Sequence, residues 1–197
     1  MTKHQIIIVG GGAAGIATAS SLISRDASLD IAIIEPSDQH YYQPGWTMVG
    51  AGVFTKGETV RTTDSVWPSG IKRIKGAVAT FAPKNNSVTL EDGSEVLYDF
   101  LVVAAGLKLD WGAIEGLENT LGKNGVTSNY RFDLAPYTWE LVQKMQGKTA
   151  IFTQPPMPIK CAGAPQKAMY LSCDAWLKAG KLSGIEVSFC NAGPVLF

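Results

Sequence analysis

Gly10, Gly12 and Gly15 fall in the spacing G-x-G-x-x-G, and Glu35 stands 20 residues beyond the last of them. Each glycine meets a separate steric demand, namely a tight turn, room for backbone to approach a pyrophosphate, and close contact between helix and strand. The amides that open the following helix then face the pyrophosphate, where free N–H groups and the helix dipole favour negative charge. A carboxylate at position 35 accepts hydrogen bonds from a ribose 2′-OH and repels a 2′-phosphate. The chemistry implied is a grip on a dinucleotide. A glycine-rich stretch is often no more than a turn, but here strand, glycines, helix, strand and acid follow in the required order.

A second group of residues points to sulfur chemistry. Cys161 lies in Gln154-Pro155-Pro156-Met157-Pro158-Ile159-Lys160-Cys161-Ala162-Gly163-Ala164-Pro165, with Lys167 close behind. Prolines and small residues make a stiff turn that presents the thiol near a helix N-terminus, between lysines, a setting that favours thiolate. A thiolate attacks sulfur centres, holds sulfur as persulfide or disulfide, and adds to an electron-poor flavin. The competing expectation is a small buried hydrophobe, as most free cysteines are. Cys173, on a helical pattern, and Cys190, after a strand, are expected in the core.

The elements that must position these groups follow from hydrophobic periodicity. Residues 5–9 read as a strand buried on both faces, the pattern from Gly15 to Arg25-Asp26 as a helix, and 31–34 as a second buried strand, which makes one βαβ unit. Residues 40–68, rich in Gly, Trp and Tyr, read as irregular structure with short helices. Residues 77–99 alternate, with turns at 83–86 and 91–94, as in an antiparallel meander, and 101–106 return to the buried parallel pattern. The stretch 107–129 reads as a loop-rich link. Helices are expected over 137–145 and 166–177, strands over 149–152 and 185–189. The chain ends soon after a strand, which suggests a truncated second domain.

Bulk composition excludes several roles. The 197 residues are 46% hydrophobic, enough to bury a core, and 17 basic residues balance 17 acidic ones. No basic field is available to hold nucleic acid. There is no run of 18 apolar residues and no secretory leader pattern, which predicts a cytoplasmic start. Three cysteines are too few for a disulfide framework. His4 and His40 have no ligand-spaced partners, so no metal site is expected. Tyr41, Tyr42, Trp46 and Trp67 read as core aromatics or flavin neighbours, and Lys72, Arg73 and Lys75 as a solvated face.

Tyr98 to Gly106, including Ala105 and Gly106, resembles the second flavin motif of two-dinucleotide-domain flavoproteins, which favours FAD over NAD. Beyond this, Val9–Gly15, Tyr41–Thr47, Val49–Gly52, Ser128-Asn129-Tyr130 and above all Lys160–Lys167 with Met169–Ser172 resemble the sulfide:quinone oxidoreductase family, in its mitochondrial-type branch. The resemblance implies an α/β fold. An FAD-binding Rossmann-like domain with a parallel sheet and a meander would occupy 1–115, a linker and connecting helix 116–148, and the start of a second Rossmann-like domain 149–197. It implies that Ala13, Ala14 and Glu35 contact the ADP half of FAD, Gln43 the flavin side and Val78 the adenine through its backbone. Cys161 would be one of two redox cysteines, its partner falling beyond residue 197. Sulfide would attack the cysteine pair, leaving a persulfide on one cysteine while the other passes two electrons through FAD to a quinone. The sulfane sulfur would leave on a thiol or other sulfur acceptor. The resemblance also implies peripheral association with the cytoplasmic side of the inner membrane through the missing C-terminal part. Rival expectations are a type II NADH dehydrogenase or disulfide-reductase-like flavoprotein, which the lack of a second glycine motif at 153–165 argues against, and a non-catalytic FAD-binding module.

Overall fold

The computed structural model describes residues 2–194; Met1 and the last three residues of the expected second domain, 195–197, lie outside the described residues. In chain order the elements are β1 (Thr2–Val9), α1 (Ala13–Arg25), β2 (Ile31–Ile34), β3 (Gln39–Tyr41), α2 (Gly45–Val49), β4 (Val60–Thr62), α3 (Thr63–Val66), β5 (Lys72–Ile74), β6 (Val78–Ala82), β7 (Ser87–Leu90), β8 (Glu95–Val103), α4 (Leu117–Thr120), α5 (Ala135–Lys144), β9 (Thr149–Gln154), α6 (Ala164–Lys178) and β10 (Glu186–Asn191). Compactness divides the described residues differently from a linear scheme cut at 115 and 148. One unit holds 2–41 and 60–108, the other 42–59 and 109–194.

The first unit is built on a six-stranded sheet in the order β5-β2-β1-β8-β7-β6. β1 runs parallel to β2 and β8, and β2 parallel to β5. The run Ile6 to Val9 is buried on both faces, as its lack of alternation requires. On one face Ile6, Ile8, Ile31 and Ile33 pack against Ala19, Leu22 and Ile23 of α1. On the other, Ile7, Val9, Ala32 and Ile34 meet Val88, Leu90, Val96 and Tyr98, so the meander closes this face where a helix would otherwise lie. Each fully buried isoleucine contributes about 1.5–3 kcal/mol of transfer free energy.

Several expectations change here. The meander's third strand and the expected strand over 101–106 are one continuous strand: β8 pairs antiparallel with β7 near Val96 and parallel with β1 along its whole length. Its far half is not uniformly buried, for Phe100 and Val103 are 64% and 60% exposed while Leu101 and Val102 pack inward. The basic run is a solvated face at Lys72 and Lys75, which are exposed, but not at Arg73. Lys72 to Ile74 form the edge strand β5, and Arg73 is drawn in by Asp38 and Asp64, each at 2.9 Å, by the Ser37 carbonyl, and by the face of Trp67. Within 40–68 the short helices appear as expected, but so does an antiparallel ribbon, β3 with β4.

In the second unit β9 and β10 pair in parallel, from Thr149 opposite Glu186 to Gln154 opposite Asn191. Val142 of α5, Trp176 of α6 and Ile185 form its core with Trp139, Phe152 and Cys173 around them. The Trp176 indole N–H donates to the Val142 carbonyl at 2.8 Å, which satisfies the polar end of a buried ring. Trp46 and Val49 of α2 pack against Ala135 and Phe132. Asn129 lies against Gly50, where a Cβ would stand 2.3 Å from its Oδ1. That close approach gives a packing reason for glycine at 50 in company with the Ser-Asn-Tyr segment.

Candidate functional site

The turn from β1 into α1 is shaped by missing side chains. Gly10 has φ +102°, and a Cβ there would lie 2.3 Å from the Ala104 carbonyl oxygen and 3.1 Å from Cα of Ala105. At Gly15 a Cβ would lie 1.8 Å from the Gly10 carbonyl oxygen. Both contacts are with backbone and cannot be relieved by a rotamer change. Gly12 is different, because a Cβ there meets nothing within 4 Å and the residue is exposed. The open space lies over the first turn of α1, which begins without a side-chain cap. Exposed Ala13 and Ala14 complete its rim.

Glu35 is brought to this turn from the end of β2. Its Oε2 accepts the Gly11 N–H at 2.7 Å and its Oε1 the Ser37 N–H at 2.7 Å. An ionised carboxylate offers about four acceptor positions, so each oxygen keeps one for a ligand hydroxyl. Ala105 and Gly106 come just after β8 and are exposed, with Ala105 beside Gly10. Val78 opens β6, next to a cleft of about 320 Å³ lined by Pro36, Lys75, Gly76, Ala77, Leu90, Glu91 and Asp92. Pro36 and Ala77 make this cleft a neighbour of both Glu35 and Val78. Bare amides, an open cradle, a carboxylate and an adjoining cleft fit the ADP part of FAD, so the first unit brings together Gly10, Gly12, Ala13, Ala14, Gly15, Glu35, Ala105 and Gly106.

Gln43 and Cys161 belong to the second unit. Gln43 is half-buried at the start of α2, and its carbonyl receives the Trp46 N–H at 3.0 Å. Cys161 lies between β9 and α6, is exposed, and adopts φ +58°, a left-handed conformation that L-residues with a Cβ avoid. Its carbonyl accepts the Ala164 N–H at 2.8 Å as α6 begins. The Tyr130 hydroxyl donates to the Lys160 carbonyl at 2.5 Å, with the Cys161 carbonyl as second acceptor at 3.2 Å. Burial, and then the charge of a Cys161 thiolate, push the Tyr130 phenol up to about 12, so it remains a donor throughout the neutral range. Nothing local in the sequence marks Tyr130 as a partner of a residue 31 positions away; the one signal it carries is its place in the Ser128-Asn129-Tyr130 motif.

The other cysteines differ from one another. Cys173 packs beside the core of the second unit, as expected, and burial raises its thiol pKa. Cys190 is exposed on β10, against expectation. Val187 of the same strand packs against the core, and strand alternation puts Cys190, three residues on, on the opposite face. His4 is buried, with Nδ1 2.8 Å from Asp30, and His40 Nδ1 lies 3.3 Å from the Gly11 carbonyl. The four aromatics divide: Trp46 and Trp67 pack inward, while Tyr41 and Tyr42 are exposed.

A model of the family described as pyridine nucleotide-disulphide oxidoreductase matches residues 4–142. The chain belongs to that family. The mitochondrial sulfide:quinone oxidoreductase of Dictyostelium discoideum is 43% identical to it over 195 residues, which cover 98% of this chain and 43% of that protein. The corresponding protein of Mus musculus is 39% identical over 194 residues, with the same shares. The crystal structure of the Aquifex aeolicus sulfide:quinone oxidoreductase superposes with a TM-score of 0.76 over the whole chain and 44% of that structure, at 24% identity, a likeness of fold. The chain thus spans less than half the length of these relatives. The resemblance read from the sequence, the α/β class and FAD as cofactor all stand. Among the described residues no helix is long and apolar enough to cross a membrane.

Proposed function

We propose that the protein oxidises sulfide to sulfane sulfur and passes the two electrons through FAD to a quinone. The observation that carries this reading is the exposed thiol of Cys161, held in a left-handed turn between β9 and α6. A core cysteine needs neither exposure nor a costly backbone conformation, whereas a sulfur nucleophile needs access. When bound, FAD supplies a two-electron acceptor. The chain's own residues do the rest: Gly10, Gly12 and Gly15 clear space for the pyrophosphate, the opening amides of α1 at Ala13 and Ala14 receive its charge, and Glu35 accepts the ribose hydroxyl. Val78 offers backbone to the adenine, and Ala105 and Gly106 lie along the rest of the cofactor in the same unit; Gln43 is retained as a proposed flavin contact.

Cys161 is proposed as one of two redox cysteines. Sulfide gives up two electrons and becomes bound sulfane sulfur; the quinone takes up two electrons and two protons and leaves as quinol. A thiol or other sulfur acceptor then removes the sulfane sulfur. Identity of 39–43% along nearly the whole chain supports this reading over a type II NADH dehydrogenase. So does the β9–α6 turn, which carries prolines and a cysteine in place of a second glycine motif. The domain scheme of 1–115, 116–148 and 149–197 is retained as a proposal for how the chain maps onto its longer relatives, and a quinone substrate implies peripheral contact with the membrane that holds it. The test is anaerobic addition of sulfide to the flavin-loaded protein. The flavin absorbance band bleaches in the wild type and fails to bleach in Cys161→Ala; bleaching retained in the variant removes Cys161 from the reaction.

A further inference from the structure

We infer that Tyr130 is a positioning residue for the redox cysteine: its hydroxyl, on the two carbonyls that bracket Cys161, holds that residue in its left-handed conformation. The Lys160 carbonyl belongs to the peptide plane before Cα of Cys161, and the Cys161 carbonyl to the plane after it. One donor at 2.5 and 3.2 Å from these two oxygens therefore restrains both φ and ψ of a single residue. Restraint is required because, left to itself, a non-glycine residue populates this conformation roughly tenfold less than its alternatives. The Ala164 N–H shares the Cys161 carbonyl and fastens it to the start of α6. The tyrosine is itself fixed, since its own amide donates to Ser128 Oγ at 3.1 Å. All these groups belong to one compact unit.

The role is one of aim. A hydroxyl that stays protonated far above neutral pH is unsuited to pass protons in turnover, and it is suited to donate one steady hydrogen bond. With the backbone of Cys161 restrained, Sγ occupies one site instead of several, and misplacement of a reacting group by about 1 Å is enough to cost orders of magnitude in rate. The role of Tyr130 rests on Cys161 being the redox cysteine proposed above.

Tyr130→Phe in the flavin-loaded protein is the test, because it keeps the ring and removes only the donor. The first-order rate of flavin reduction at saturating sulfide is expected to fall roughly tenfold, with the half-saturating sulfide concentration changed by less than about twofold. FAD content stays at the wild-type level, and the pH profiles of the two proteins run parallel between about pH 6 and 9. Hydrogen exchange at the Ala164 amide speeds up severalfold, a readout that needs neither sulfide nor electron transfer. Ser128→Ala, which leaves the phenol and loosens its anchor, shows the same pattern at smaller size; it decides the matter by the same measurements should Tyr130→Phe not load FAD. An unchanged reduction rate overturns the inference, even if exchange at Ala164 quickens. So does a rate loss that lost FAD explains wholly in both variants, or the disappearance of one limb of the pH profile, which would make Tyr130 a proton donor. Sulfide bleaching that survives Cys161→Ala overturns the function proposed for the cysteine instead, and the exchange measurement on Tyr130→Phe then still reports whether the tether exists.

Discussion

The turn between β1 and α1 and the turn between β9 and α6 occupy the same place in a strand–turn–helix unit, yet residue type and backbone agree in one and conflict in the other. In the first, the left-handed position is Gly10 and the closest helix–strand approach is Gly15, so each demanding position has the residue that meets it without strain. In the second, a left-handed position carries Cys161, a residue with a Cβ, and a hydroxyl from elsewhere in the fold stands on the carbonyls around it. The glycine turn is self-sufficient; the cysteine turn depends on its surroundings. A local conflict with an outside restraint is what a position kept for chemistry looks like.

Substitutions that exchange the character of the two turns sharpen this contrast. The largest effect is expected at Gly15, where an added methyl would stand 1.8 Å from a carbonyl oxygen. Gly15→Ala should destabilise the protein by about 3 kcal/mol or more, read by denaturant unfolding, and near-wild-type stability would show that the turn yields more easily than its geometry implies. Gly12→Ala comes next and separates ligand from fold. Its Cβ enters open space on an extended backbone, so unfolding should change by no more than about 1 kcal/mol while FAD affinity drops about tenfold or more. If equilibrium dialysis finds FAD held as tightly as before, the cradle is not where the pyrophosphate rests.

Cys161→Gly reverses the sign. Removing the Cβ from a left-handed residue should stabilise the protein by roughly 1 kcal/mol even as the sulfur is lost. A neutral or destabilising result in thermal unfolding would mean that the conformation is not strained. The smallest effect concerns pH. An unfolded chain releases the Tyr130 proton near the ordinary phenol value of 10.0, whereas the folded protein holds it to about 12. The linked stability is full below pH 10 and is lost as pH rises through the folded value, because the native state binds more protons in between. Tyr130→Phe should flatten that decline, and equal slopes in urea midpoints measured between about pH 9 and 11 would contradict it.

Much of the first unit was legible because its rules are local. Absence of Cβ at 10, 12 and 15, a β-branched run on each side and an acid 20 residues on are conditions that a reader of the chain can check one by one. Cys161 was likewise legible as a residue between a strand and a helix. Arg73 was misread because three charged residues close together look like a solvated face until Asp38, Asp64 and Trp67 arrive from other segments. The double pairing of β8 was missed because alternation describes a strand's faces and carries no information about which neighbours take its edges.

From sequence alone, then, came the glycine turn, the carboxylate beside it and the segment that presents the thiol, all matters of which side chains are small, stiff or charged within a few residues of one another. Tertiary structure alone decided that Tyr130 reaches forward across 30 residues to the Lys160 carbonyl, that Asn129 needs glycine at 50, and that Cys190 faces outward. Short-range sterics are written into neighbouring residues, whereas a hydrogen bond between distant segments exists only once the chain has closed the loop between them.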